Sequence, residues 1–244
     1  LAQPYTFLLG AAGQFGIFLT LLLALYLGFP KLDAVSIGVI GACDGPTAIY
    51  VTSKYAPHLL GAVAVAAYSY MSLVPVIQPP IMKALTTDKE KKTVMKFTAK
   101  PVSKTTKLLF PIVITVVGGC IAPKGLPLLA TIMLGNLMKE SGVVARLTGA
   151  AENEIANVVT LFLGLCIGAT MAGPAFIRAE TLIVLGLGFL AIILDTVCGI
   201  LFAKGLYILT GGKINPLIGS AGISAFPMAA RVVAKVGNQY NKKS

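Results

Sequence analysis

Charge is scarce in this sequence. Only 12% of its 244 residues are Asp, Glu, Lys or Arg, against about 25% in a soluble domain. Three stretches carry none: residues 1–30, 55–82 and 155–177. About 20 mostly apolar residues cross the hydrocarbon core of a bilayer, so each stretch is long enough to span it. This excludes an ordinary soluble enzyme, whose buried helices seldom run past about 14 residues without a charge. Histidine is nearly missing too: His58 is the only one. The four cysteines, Cys43, Cys120, Cys166 and Cys198, are widely spaced and form no CxxC pair. No zinc or other transition-metal pattern is present. In their apolar surroundings they read as free, buried thiols acting as small hydrophobes. An initiator Met, a basic n-region and a small-residue cleavage site are also missing, so no signal peptide is indicated. The start, Leu1-Ala2-Gln3, reads as a cut into a longer protein.

Acids are the scarcer sign, 9 against 20 Lys and Arg, for a net charge of +11. No aromatic-interleaved basic patch and no groove-reading motif accompanies this excess, so nucleic acid is not the implied partner. The bases sit between the apolar runs, as the positive-inside rule requires. From Lys83 to Lys107 there are eight lysines and only two acids, Asp88 and Glu90. That loop is expected in the cytoplasm, and its charge can also dock an acidic partner.

What is present is hydrophobicity: 56% of residues, with a mean hydropathy of +0.86. A first span is expected from Tyr5 to Phe29. Another runs from Leu59 to Ile77 and ends at Gln78-Pro79-Pro80. Leu108–Ala122 and Pro127–Met138 are either one kinked span or two short ones. Residues 139–154 read as an interfacial helix or short loop. Clean spans follow at Ile155–Met171 and Thr181–Ala203, the latter enclosing Asp195.

Two apolar stretches do not suit an intact helix. Residues 39–54 read VIGACDGPTAIYVTSK, and residues 217–235 read LIGSAGISAFPMAARVVAK. Both open on an aliphatic-Ile-Gly, pass through small residues and a proline, and close on an aliphatic pair and Lys. Paired hydrophobic segments broken by Gly and Pro mark a transporter's ion site. A broken helix frees backbone N–H and C=O groups at membrane depth, costing several kcal/mol each unless something binds them. Freed carbonyls coordinate small cations, and half-helix N-termini hold anions. The fold class expected is therefore an all-α polytopic membrane protein. It is a helical bundle with two discontinuous segments, broken or re-entrant, in an inverted repeat.

Asp44 stands in the first break. A charge at the bilayer centre costs about 2.5–3.5 kcal/mol or more, so such a residue is functional by default. The hard-oxygen set Asp44, Thr47, Asn215, Ser220 and Ser224 suits Na+ or H+ rather than a soft metal. Asp44-Gly45-Pro46 also reads as an N-cap with proline at the second position of a following helix; the two roles are compatible. Asp195 is a weaker candidate, either functional, a buried hydrogen-bonded acid or an end-of-span residue. Arg231 either snorkels to the interface or binds a carboxylate bidentately. Tyr70, in an uncharged span, is either a core aromatic or a proton donor near an acid.

On these residues a resemblance enters. GACDGPTAIYVTSKYAPHLLGAVAVAAYSYMSLVPVIQPPIMKALT strongly resembles the beta subunit of the sodium ion-translocating decarboxylases, the oxaloacetate, methylmalonyl-CoA and glutaconyl-CoA pumps. GNLMKESGVVARL and INPLIGSAGISAFPMAARVVAKVG resemble the family's other two signature regions. The resemblance implies that partner subunits load CO2 onto biotin. This subunit would then decarboxylate the carboxybiotin, consume a proton and export Na+ from a bacterial cytoplasm across the inner membrane. It implies biotin carrier, carboxyltransferase and small membrane-anchored partners, and allows a homo-oligomer. It places functional residues at Asp44, Tyr70, Asn215, Gly219, Ser224 and Arg231. The combined expectation is Asp44, Tyr70 and Arg231 in catalysis, Arg231 toward carboxybiotin, and Asp44, Thr47, Asn215, Gly219, Ser220 and Ser224 around Na+.

Members of that family are longer at both ends, so the chain is read as a fragment. Its expected parts are a first membrane half 1–82 with broken segment 38–51, a basic loop 83–107, a second half 108–235 with broken segment 214–233, and a polar tail 236–244. The competing readings are a secondary Na+/H+ antiporter or carboxylate symporter of similar architecture, and a structural anchor for soluble subunits. Biotin dependence separates the first from a pump, and Asp44→Asn separates the second.

Overall fold

The computed structural model describes residues 5–42, 44–95, 102–170, 177–223 and 225–241. Every regular element among them is helical. Among the described residues five helical stretches are long and apolar enough to cross a membrane: Phe7–Tyr26, Pro57–Leu85, Lys104–Ile121, Ala145–Ala169 and Ala179–Leu209. The chain divides into two compact units, one of residues 99–166 and one of residues 4–98 with 167–244.

The second of these holds the site. It begins with α1 (Tyr5–Ala12) and α2 (Phe15–Tyr26). The expected first span is therefore interrupted, at Gly13-Gln14. Close packing explains the break: a Cβ built on Gly13 would lie 2.6 Å from the Gly222 carbonyl carbon. Next comes α3 (Lys31–Gly38), which tightens into a 3-10 turn, Val39–Ala42. Helix α4 (Gly45–Tyr55) follows, and then α5 (Leu60–Leu85), led in by a 3-10 turn at Pro57–Leu59.

Helix α5 corrects one expectation. It does not stop at Gln78-Pro79-Pro80 but runs through Pro75, Pro79 and Pro80 to Leu85. Proline removes an N–H and strains the turn before it. Burial of Val74, Gln78 and Met82 holds the helix together across that strain, and neighbouring helices make such prolines tolerable in membranes. The short α6 (Asp88–Lys91) lies just beyond, inside the basic loop, and is closed by a capping box between Thr87 and Glu90.

The other unit carries α7 (Lys104–Ile121), α8 (Leu126–Ser141), α9 (Ala145–Ala150) and α10 (Ala156–Thr170) as far as Cys166. The ambiguous stretch 108–138 is thus two helices, turning at Pro123–Gly125. Residues 139–154 hold a short turn, residues 142–144, between the end of α8 and the start of α9. Gly142, at φ +69°, ends α8 in the left-handed conformation, which glycine adopts without strain. The next helix starts at Ala145 and passes through a π-turn at Ala151–Ile155 into α10. The expected Ile155–Met171 span therefore begins ten residues early, and Glu152 lies inside it, paired with Lys139 at 3.2 Å. Two thiols are also placed differently: Cys120 and Cys166 are exposed rather than buried, because a membrane protein's outer surface is itself apolar. Cys43 lies outside the described residues.

Helix α11 (Ala179–Leu209) returns the chain to the site-bearing unit and is its longest element. A 3-10 segment, Pro216–Gly222, and α12 (Phe226–Tyr240) complete it. Helices α5 and α11 run side by side in the same direction. Gly188 sits against the Tyr70 ring, and further along the Lys204 ammonium donates to the Leu85 carbonyl at 3.0 Å.

Against this pair the two broken segments are hairpins. The first starts and ends at the head of α5: Asp33 of α3 meets His58 at 3.1 Å, and α4 closes at Tyr55, just before Pro57. Its tip reaches the middle, where Ile40 touches Gly188 and Gly41 touches Asp195. The second starts and ends at the foot of α5. Asn215 donates to the Lys91 and Thr93 carbonyls at 3.2 and 3.0 Å, and Asn241 donates to the Lys92 carbonyl at 3.2 Å.

Candidate functional site

Asp44 occupies the tip of the first hairpin, half-buried. Its extended backbone makes it the N-cap of α4, with proline in the first turn, as its Asp-Gly-Pro sequence predicts. Its Oδ1 accepts the Thr47 amide at 3.3 Å, and its Oδ2 accepts the Thr47 hydroxyl at 2.6 Å. The carboxylate keeps further lone pairs for a cation. Beside it the Tyr68 ring closes over Gly45, where a Cβ would lie 2.7 Å from Tyr68 Cζ. Only glycine lets the ring approach this near to the turn.

The tip of the second hairpin has no acid among its described residues and is held by backbone packing. A Cβ on Gly199 would lie 2.3 Å from the Gly219 oxygen, and one on Gly222 would lie 2.4 Å from the Leu9 oxygen. The Gln14 side chain, at the α1–α2 break, donates from Nε2 to the Gly222 carbonyl at 3.3 Å. Ser220 is fully buried. Its hydroxyl donates to the Leu217 carbonyl at 2.8 Å, and its own carbonyl accepts from Gln78 Nε2 at 2.8 Å. The opposite end of that side chain, Gln78 Oε1, is buried without a partner among the described residues.

Helix α11 aligns the two tips. Gly41 of the first lies beside Asp195, and Gly219 of the second lies beside Gly199. Four residues of α-helix rise about 6 Å, so the tips reach nearly the same depth. Asp195 is fully buried at that depth. Its Oδ1 accepts the Gly16 amide at 2.6 Å.

The expected site residues fall into three places. Asp44 and Thr47 share the first tip. Gly219 and Ser220 share the second, and Ser224 lies outside the described residues. Asn215 is at the base of the second hairpin, not its tip. Its Oδ1 accepts the Leu217 amide at 3.1 Å and both amide hydrogens are used on the loop carbonyls. Among the described residues no hydrogen bond or ion pair joins Asp44 to Asn215, Gly219 or Ser220. Tyr70 is buried and donates to the Leu185 carbonyl. Arg231 is exposed on α12 and forms no ion pair among the described residues.

The foot of α5 adds a clasp. The Glu90 carboxylate accepts from the Thr87 amide at 2.7 Å and faces Lys204 at 3.6 Å. Burial alone would raise the Glu90 pKa, but the Thr87 amide and hydroxyl and the Lys204 charge outweigh it and hold the group below its ordinary value. Tyr68, Gln78 and Gly16 were not singled out from the sequence. The signals available were a polar Gln inside each of two uncharged runs and a second tyrosine two residues before Tyr70.

The whole chain, residues 1–244, matches the family profile described as Na+-transporting oxaloacetate decarboxylase beta subunit. It is 55% identical over 243 residues to the oxaloacetate decarboxylase beta chain of Klebsiella pneumoniae, covering 97% of this chain and 56% of that protein. It is 52% identical over 240 residues to the methylmalonyl-CoA decarboxylase subunit beta of Propionigenium modestum, covering 98% and 60%. The subunit of the same name from Veillonella parvula is 51% identical over 241 residues, covering 99% and 64%. The chain spans little more than half the length of these relatives.

Proposed function

The chain belongs to the family of Na+-transporting oxaloacetate decarboxylase beta subunits, and from that premise we propose that it forms the ion-translocating part of a decarboxylase sodium pump. The pump resides in the bacterial inner membrane. Its partners are a biotin carrier, a carboxyltransferase and a small membrane-anchored subunit. Carboxybiotin from the carrier supplies a carboxylate that leaves as CO2 while a proton is taken up, and the cargo is Na+.

The observation that carries this reading is Asp44 at the tip of a hairpin that reaches nearly the same depth of α11 as the tip of a second, oppositely inserted one. We read the two hairpins as an inverted repeat. Asp44 and Thr47 supply oxygens to Na+ from one tip. Gly219, Ser220 and Ser224 supply theirs from the other, so ion binding draws the tips together. Asn215 serves this site by fixing the base of the second hairpin. Arg231 fits a carboxylate: its guanidinium is exposed, lacks an acidic partner among the described residues, and offers a planar fork of donors. It orients the carboxyl group, and Tyr70 passes a proton toward it.

The test is Na+ uptake into vesicles carrying the whole complex, with and without avidin. Uptake driven by the acyl substrate is expected to stop when avidin occupies the biotin. Uptake that persists would replace the pump with a secondary antiporter or symporter.

A further inference from the structure

One acid has no part in the ion path described above. Asp195 sits in α11, with no exposed surface. Its two oxygens face different surroundings. Oδ1 accepts the Gly16 amide, in the first turn of α2, so it looks at the positive end of a half-helix, which favours an anion. Oδ2 has no hydrogen-bond partner among the described residues. Beside it stands Gly41, whose built Cβ would lie 2.9 Å from Oδ2, 3.0 Å from Ala191 Cβ and 3.7 Å from the Ile17 amide nitrogen. An ionised oxygen there is costly.

Among the described residues no ion pair involves Asp195. Helices α1 and α2 present no charged side chain. On α3, Asp33 is turned to His58 at the far end, and Lys31 lies in that same first turn. From α5, Tyr70 is committed to Leu185 and Tyr68 to Gly45, while Lys83 is in the last turn and exposed. The 3-10 segment of the second hairpin brings no titratable residue. On α11 itself, Glu180 is in the first turn, Tyr207 lies near the last, and Lys204 is held by Glu90 and Leu85. Cys198 follows Asp195 on the same helix and is part-buried.

We propose that Asp195 is a proton-binding site, separate from the Asp44 ion site, which takes up and releases one proton as the tip of the first hairpin parts from α11. The exchange is carboxylate plus H+ giving the neutral acid on Oδ2, and the reverse. The ligand is a proton rather than a metal cation because a hard cation needs a shell of several oxygens. Gly41 and Ala191 bring no side-chain oxygen, whereas a proton needs no room. The half-helix amide on Oδ1 and the apolar wall on Oδ2 make each state tenable in turn. Oδ2 is sealed, so exchange requires the Gly41 wall to open. That wall is continuous with Asp44, which gives the proton a mechanical link to the ion.

The test is infrared spectroscopy of the assembled membrane complex across a pH series, following the C=O stretch of protonated carboxyl groups. A band that titrates in the unmodified complex and is lost in Asp195→Asn is expected. Ala191→Ser covers the case in which that variant does not accumulate. Its hydroxyl, one turn before Asp195, gives Oδ2 a donor in the anion and moves the midpoint toward acid by about one to two pH units. Asp44→Asn is expected to keep the band. An unchanged band in Asp195→Asn, an unmoved midpoint in Ala191→Ser, or loss of the band in Asp44→Asn overturns the proposal. Biotin plays no part in this readout, so the proton site and the pump stand or fall separately.

Discussion

The two hairpins have similar sequences and opposite constructions. The first carries its polar chemistry at the tip. Asp44 caps α4 there and, among the described residues, is bound only to its own neighbour Thr47, and Asp33 meets His58 at the base. The second carries its polar chemistry at the base. Asn215 and Asn241 grip the loop after α5, and Lys91 lies over the Tyr240 ring at 4.9 Å. Its tip is glycine against glycine. The lesson is a division of labour: one hairpin offers a charge that is free to bind, and the other offers backbone held firmly enough to bind against.

The comparison breaks most visibly at Asp44. Asp44→Asn keeps the cap but removes the charge, and a charge retained at a cost of ~2.5–3.5 kcal/mol should return about as much in ion binding. Na+ activation of the complex is therefore expected to weaken on the order of 100-fold. Titrating the rate with Na+ measures it, and a shift below tenfold would put the site elsewhere. Next in size is the packed tip. Gly199→Ala drives a methyl into the Gly219 carbonyl, at 2.3 Å before relaxation, and overpacking of this kind costs about 1–3 kcal/mol. A lower melting temperature in detergent is expected, whereas Gly186→Ala, on the same helix with open space around it, should leave melting unchanged.

The clasp gives the smallest effect. The Glu90 pKa is depressed in the folded state, so its contribution is present above the ordinary glutamate range and fades as pH falls through the folded value. Proteolysis within residues 87–95 should quicken in acid, and Glu90→Gln should remove that dependence. An unaltered pH profile in Glu90→Gln would mean that the clasp is held by Asn215 and Asn241 alone.

Much of this was legible in the sequence, for identifiable reasons. Long uncharged runs can only be buried or lipid-facing helix, so most spans could be read directly. Asp-Gly-Pro is a local signal, and Asp44 caps α4 as it predicts. What was not legible depended on distant partners. The break at Gly13-Gln14 has no proline to announce it and exists because Gly222 packs there. Pro79 and Pro80 looked like a stop because the burial that carries α5 through them comes from other segments. Tyr68 and Tyr70 lie two residues apart on one helix and point to different sides, so only packing decides which ring meets the Asp44 turn. Asn215 had the chemistry of an ion ligand, and only its bonds to Lys91 and Thr93, more than 120 residues away in the chain, place it at the base.

The most direct measurement is equilibrium binding of radioactive Na+ to the purified complex, comparing Asp44→Asn with Asn215→Ala. The division of labour predicts that saturable binding disappears in Asp44→Asn. In Asn215→Ala it should persist with near-normal affinity, although that variant loses a cap worth about 0.5–2 kcal/mol of stability. Equal loss of binding in both variants, or binding that survives Asp44→Asn, would contradict it.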